Sequence, residues 1–323
     1  MRRREFLALL GGASAAWPLA ARAQQNQTPL VGVLRVNAEG SNEAFAEPFR
    51  RYMKTLGWDE GRNIGYRFVW AGGQNERLPA LAQELVAQKV DVLITFGTPS
   101  VNAAGRATST IPIIAMADDM IASGLATNLR RMQSSNMTGV SILSTELDVK
   151  RLELLHEFIP MAGRIGVLAD PTVAPRLSDL KAAARTMGVE LVLFEARSRD
   201  EVARALDAMI EARVEAVNIL ASPALYAARD LTIPTLERAR LPAIHQWPEA
   251  AEDGGFLAYG PRQSLAFRHV ASLVDKVLRG ANPADLPVEQ PSKFDLVLNL
   301  KTAGKLGLNL SPQLLLRADD VIE

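Results

Sequence analysis

Val90-Asp91-Val92-Leu93-Ile94-Thr95-Phe96, followed at once by Gly97-Thr98-Pro99-Ser100, is the stretch that decides the fold. The run from Val90 to Phe96 has the near-continuous apolar character of a strand buried in a parallel sheet. The turn behind it carries the residues of a helix start. Thr98 suits the N-cap, Pro99 the first helical position, and Gly97 allows close backbone approach. A strand running straight into a helix start is half of a βα unit.

The same unit recurs on either side. Upstream, Leu30 to Val36 is a strand, and Phe45, Phe49, Tyr52, Met53 and Leu56 stripe a helix that Gly57 stops. Asn63 to Trp70 is a second strand, and Leu78, Leu81, Ala82, Leu85 and Val86 mark the next helix. Downstream, Ile111 to Met116 is a strand, and the rhythm restarts with Ile165–Ala169, Val189–Phe194, Val214–Leu220 and Leu241–His245. Such crossovers require parallel strands and right-handed connections. Two successive sets predict an α/β fold of two doubly wound parallel-sheet lobes with a cleft between them. A (β/α)₈ barrel is the alternative on element count alone. Beyond the second set lie a strand at Gly255–Tyr259, a helical stripe from Leu265 to Leu278, a Pro-rich link at 282–287 and a strand at Phe294–Leu298. These extra elements are expected where the chain crosses between lobes. The expected division is 29–143 with 260–290 for lobe one, and 144–259 with 291–323 for lobe two.

Composition narrows the function. Of 323 residues, 48% are apolar and 22% charged, which is globular rather than disordered. Lys+Arg 36 balances Asp+Glu 36, which argues against a nucleic-acid partner. The absence of cysteine removes disulfides, thiolate metal sites and cysteine nucleophiles, and three scattered histidines (His156, His245, His269) argue against a metal centre. No cofactor is expected. G-x-G-x-x-G after a strand, G-x-x-x-x-G-K-[ST], H-E-x-x-H and G-x-S-x-G are all missing, so nothing asks for an enzyme.

Residues 1–23 read as a cleaved export signal. Arg2-Arg3-Arg4 opens it, a short apolar stretch from Phe6 follows, and Ala21-Arg22-Ala23 gives an A-x-A cleavage pattern. Arg3-Arg4-Glu5-Phe6-Leu7 matches the twin-arginine form, with a Sec signal as the alternative. Removal takes away four basic residues (Arg2, Arg3, Arg4, Arg22) and one acidic residue (Glu5), leaving a net charge of −3. No later run reaches transmembrane length. A periplasmic protein, monomeric and without a membrane span, is expected.

In open α/β sheets ligands sit beyond the carboxyl ends of the strands. The residues that follow each strand are therefore the candidates: Asn37 (with Glu39) after the first, Gly97, Thr98, Pro99 and Ser100 after the third, and Asp118 after the fourth. The second set offers Ser222, Gln246, Trp247 and Tyr259. Gly97-Thr98-Pro99-Ser100 and Ala221-Ser222-Pro223 are related cap-Pro turns, each suited to a carboxylate at a helix N-terminus, with plain capping as the alternative. Asp118 is placed to accept an ammonium or a sugar hydroxyl, or to cap a helix. Trp247 suits stacking on a ring, or packing as a structural tryptophan. Tyr259 suits the hinge as well as a ligand.

Several motifs together resemble a known family. Gly57-Trp58-Asp59-Glu60-Gly61-Arg62-Asn63-Ile64, Arg77-Leu78-Pro79, Gly97-Thr98-Pro99, Lys150 to Leu155, Gly254 to Gly260, Ala284 to Gln290 and Asn299 to Ala303 resemble the ABC-transporter substrate-binding proteins of the tryptophan/tyrosine type. The resemblance covers nearly all of residues 29–323. It implies a periplasmic-binding-protein type I fold with three crossing segments. It also implies a small ligand closed between the lobes, notably an aromatic amino acid, and an inner-membrane permease as partner. An exported α/β enzyme acting at the same cleft, and a sensor with a different membrane partner, are the alternatives.

Overall fold

The computed structural model describes residues 28–36, 43–173 and 177–323, so the stretch read as an export signal, 1–23, lies outside the described residues. The first half reads β1 (Leu30–Arg35), α1 (Glu43–Thr55), β2 (Gly65–Trp70), α2 (Leu78–Ala87), β3 (Val92–Phe96), α3 (Thr98–Ala107), β4 (Ile113–Ala117), β5 (Ala126–Asn128), β6 (Arg131–Met132) and β7 (Met137–Ser141). Five strands form one parallel sheet in the order β2-β1-β3-β4-β7. The pair β5–β6 is a separate antiparallel ribbon.

The second half reads α4 (Asp148–Phe158), β8 (Arg164–Ala169), α5 (Leu177–Met187), β9 (Glu190–Glu195), α6 (Arg199–Glu211), β10 (Ala216–Ile219), α7 (Pro223–Ala227), α8 (Arg229–Arg238) and β11 (Ala243–His245). It continues with α9 (Pro248–Glu252), β12 (Leu257–Gly260), α10 (Gln263–Leu278), β13 (Asp295–Asn299), α11 (Leu300–Leu306), α12 (Pro312–Leu315) and β14 (Asp320–Ile322). Its sheet has seven strands in the order β14-β13-β12-β11-β10-β8-β9. Two separate open sheets exclude the barrel.

Periodicity explains the packing. Phe45, Phe49 and Met53 on α1 are buried against Val31, Val33, Val92 and Ile94 of the first sheet. Helix α10 lies beside α1, although their first residues, Glu43 and Gln263, are 220 positions apart in the sequence. Phe267, Val270, Leu273 and Val274 complete that cluster, and Trp58 Nε1 donates to Asp275 Oδ1 at 2.8 Å. The chain therefore leaves the second sheet after β12, covers the first sheet with α10, touches β7 through the Val140–Glu289 bridge, and returns to the second sheet as β13.

Two local features differ from the sequence expectation. Strand β2 starts at Gly65 rather than Asn63, because Asn63 holds the preceding turn. Its Oδ1 accepts from the Asp59 amide at 2.6 Å and its Nδ2 donates to Gly57 O at 2.8 Å. Strand β13 is antiparallel to β12, with Gly260 opposite Asp295. The helix between the two strands, α10, packs on the first sheet rather than across the second, so the connection is not a βαβ crossover that would require a parallel direction.

The crossing segments meet at a buried charge network. The Arg151 guanidinium, fully buried on α4, donates through Nη2 to Ser144 O (2.7 Å) in the first crossing and through Nη1 to Tyr259 O (3.0 Å) at the second. Nη2 also contacts Asp148 Oδ1, which accepts from the Ala221 amide at 3.1 Å. Burial pushes the Asp148 carboxyl above its usual range, while Arg151 pulls it back. At the second crossing only glycine fits position 260, since a Cβ there would stand 2.0 Å from Gln246 O. Removing one partner of a buried ion pair leaves an uncompensated charge. Arg151→Met should therefore lower the unfolding free energy by about 3–5 kcal/mol in urea titration. Adding Asp148→Leu should recover part of that loss, whereas a double variant less stable than either single one would contradict the pairing.

Candidate ligand-binding site

The carboxyl ends of the strands carry the candidates, and their surroundings separate them. At the end of β3, Gly97 is itself the N-cap of α3, with φ +80°, a conformation that favours glycine. Thr98 is the first helical residue, not the expected cap, and no side chain caps this helix. Pro99 is exposed and lines a groove between α2 and α3 with Asn75, Leu78, Gln83 and Arg106. Ser100 is fully buried, and its Oγ has no hydrogen-bond partner among the described residues.

The second cap-Pro turn is different in kind. Ser222 is the N-cap of α7, accepting from the Ala224 and Leu225 amides at 3.0 and 3.3 Å. Its hydroxyl donates to Asp170 Oδ2 at 2.7 Å, and it is buried. Every hydrogen-bonding role of this serine is taken inside the fold, so it is a structural cap rather than the expected ligand contact. Gln246 is also buried and donates from Nε2 to Ser222 O at 2.7 Å, which fastens the same turn.

Asp118 departs from its expected meeting with an ammonium. Its carboxylate accepts from the Ser144 amide, from the Thr145 amide (3.1 and 3.2 Å) and from the Thr145 hydroxyl. A carboxylate has about four acceptor positions, and the first crossing segment occupies them. A turn into β5, not a helix, follows here; Asp119 holds it, its Oδ1 accepting from the Ile121 and Ala122 amides at 2.9 Å each. Tyr259 is half-buried, with its ring 6.4 Å from Phe294 and its carbonyl held by Arg151. Asn37 and Glu39 lie outside the described residues.

Aromatic residues bring the two lobes together. Trp247, after β11 of the second sheet, is buried in the cluster that holds Phe45 and Phe267 over the first sheet. Tyr226 of α7 packs on the same cluster, 6.3 Å from Trp247 in an edge-on arrangement. Burial pushes the Tyr226 hydroxyl well above its usual range, so the ring stays neutral.

Sequence reasoning missed Arg35, the last residue of β1. Its Cζ stands 4.5 Å from the Phe96 ring centroid and 5.4 Å from that of Phe45. Nε and Nη1 are sealed from solvent without a partner among the described residues. Burial lowers its pKa to about 10, so the group remains charged at neutral pH. Cation–π contact is worth roughly 0.5–2 kcal/mol and does not supply the missing acceptors, while the residue as a whole is half-buried and Nη2 is not among the sealed atoms. A cation closing an otherwise apolar strand, Leu30 to Val36, was the available signal. Among the described residues no acidic or histidine cluster is arranged for a metal, and no helix is long and apolar enough to cross a membrane.

Residues 31–322 match the family described as ABC transporter substrate binding protein. The chain belongs to that family. Among known relatives, a tyrosine-binding protein of Clostridioides difficile is 23% identical over 283 residues, spanning 86% of this chain and 81% of its own. A conserved domain protein from Vibrio cholerae superposes with TM-score 0.80 at 27% identity, covering 91% of this chain and 100% of that one. An ABC domain from Streptococcus pneumoniae in complex with L-Trp gives TM-score 0.78 at 22% identity, covering 92% and 100%. The architecture is that of the periplasmic binding proteins.

In this member of the family His245, just before Gln246, is buried, and burial first, then the nearby Arg229, lowers its pKa to about 4. A neutral folded histidine gains a proton on unfolding below pH 6.5, so its stabilisation is complete above that pH and fades as pH falls toward 4. The loss is on the order of 3 kcal/mol. Chemical denaturation of His245→Gln between pH 7 and pH 4 should show a shallower decline than the parent protein.

Proposed function

We propose that this chain is the exported receptor of an ABC importer and captures an amino acid or a related small carboxylate between its lobes. The observation that carries the reading is an aromatic cluster to which both lobes contribute. Trp247 and Tyr226 come from the second lobe to the cluster that Phe45 and Phe96 build on the first. An aromatic or large apolar side chain gains most from such a lining, because ring pairs add about 0.5–1.5 kcal/mol beyond their buried area. The tyrosine-binding relative and the L-Trp complex support an aromatic amino acid.

The rest of the reading follows from this role. The lobe divisions at 143/144, 259/260 and 290/291 are the hinge, and an inner-membrane permease receives the ligand. Residues 1–23 direct the protein to the periplasm, by the twin-arginine route through Arg3 and Arg4. The working unit is one chain. Gly97 and Thr98, at the end of a helix that no side chain caps, remain in the proposed contact set with Trp247; Ser222, Gln246 and Asp118 serve as its supports.

The test is a binding screen. L-tyrosine and L-tryptophan should raise the melting temperature and titrate calorimetrically at micromolar affinity. Ligand at 100 times its Kd should add about 2.7 kcal/mol of stability. Saturable binding of inositol or a monosaccharide, with neither aromatic amino acid bound, would contradict the reading.

A further inference from the structure

We infer that the Arg35 guanidinium is the anion anchor of the cleft, taking the carboxylate of the captured amino acid while the Phe45 and Phe96 rings hold its plane. This inference rests on the amino-acid reading above and assigns one residue within it.

Position comes first. Arg35 ends β1 at the carboxyl edge of the first sheet, one step beyond the Leu34–Thr95 pair and beside Phe96. Gly97 and the uncapped start of α3 follow directly. The rings under the guanidinium belong to the cluster that Trp247 and Tyr226 reach from the other lobe. The charge therefore stands where both lobes meet.

Chemistry comes second. The cations in the supports of this fold have anionic partners: Arg262 contacts Glu252, Asp295 and Asp320, and Arg151 contacts Asp148. Arg35 has no carboxylate among the described residues, and its Nε and Nη1 are sealed without an acceptor. Those two nitrogens carry three of the five N–H donors of a guanidinium. Burial alone depresses its pKa, with no charged neighbour contributing among the described residues. Such a group destabilises the empty protein and is relieved by an anion. A carboxylate is the matching partner, since charge-assisted bonds to a planar guanidinium are the strong, directional ones. The two turns first suited to an anion differ here, because Ser222 is satisfied internally whereas the start of α3 adjoins Arg35.

The experiment compares L-tyrosine with tyramine, which lacks the carboxylate, on the parent protein and on Arg35→Gln, Arg35→Lys and Arg35→Met. The parent should prefer tyrosine by at least about 10-fold. Arg35→Gln should weaken tyrosine about 10- to 100-fold and bring the two probes close to parity. Arg35→Lys should restore part of the preference. Ligand-free Arg35→Met should melt at or above the parent temperature, because a buried unpaired charge has been replaced by an apolar chain of similar length. Unchanged tyrosine affinity in Arg35→Gln, or an undiminished preference over tyramine, would overturn the assignment alone. A lower melting temperature in ligand-free Arg35→Met would mark a structural role and overturn it too. Failure of the parent to bind either probe would overturn the amino-acid reading and this assignment with it.

Discussion

The Arg151–Asp148 pair is the constraint on which the relation between the lobes depends. Arg151 holds the carbonyls of Ser144 and Tyr259, which lie on different crossing segments, while Asp148 receives the Ala221 amide at the base of the second lobe. Both side chains are fully withdrawn from water, so each needs the other. Asp118 reaches from the first sheet to the amides of Ser144 and Thr145, extending the network into lobe one. The third passage is secured separately, by the Glu289 backbone against Gly139 and Ser141 and by Arg262 on Asp295. Crossing segments tied in this way restrict where the two sheet edges can meet.

What distinguishes Arg35 from the cations of the supports is the lack of a carboxylate partner among the described residues. Ser222, Gln246, Asp170 and Asp118 have their polar groups matched within the chain. Arg35 and Ser100 have buried polar atoms without partners among the described residues, as do Arg151 Nε, Asp148 Oδ2 and Ser144 Oγ, but Arg151 keeps its carboxylate and Arg35 has none. Charged side chains are rarely withdrawn from water without an anionic partner, so the guanidinium of Arg35 is the exception that points to function. A receptor gains from this arrangement, because a ligand that supplies the missing partners favours the closed state by its differential contacts.

Much of this was legible in the sequence. The Val90–Phe96 run and its recurrences placed most of the strands, since continuous apolar runs separated by helical stripes admit few other folds. The antiparallel β13 was not legible, because its direction follows from where the chain re-enters the sheet rather than from its own residues. The short β14 at Asp320–Ile322 escaped for lack of an apolar run. At the site, residue type alone suggested two equivalent turns. Three-dimensional partners separated them: Asp170 satisfies Ser222, while the cap of α3 shifts back to Gly97. For Arg35 the sequence offered a cation closing an apolar strand, but not its surroundings. A terminal arginine on a strand reads as solvated until the rings of Phe45 and Phe96 are seen around it.

The central claim is that two lobes on a tied hinge close over a small ligand. Solution scattering of the mature protein, empty and saturated with L-tyrosine or L-tryptophan, tests it most directly. The account predicts a smaller radius of gyration on saturation, with the change lost when the ligand is dialysed away. An identical scattering curve at saturation proven by calorimetry would contradict it.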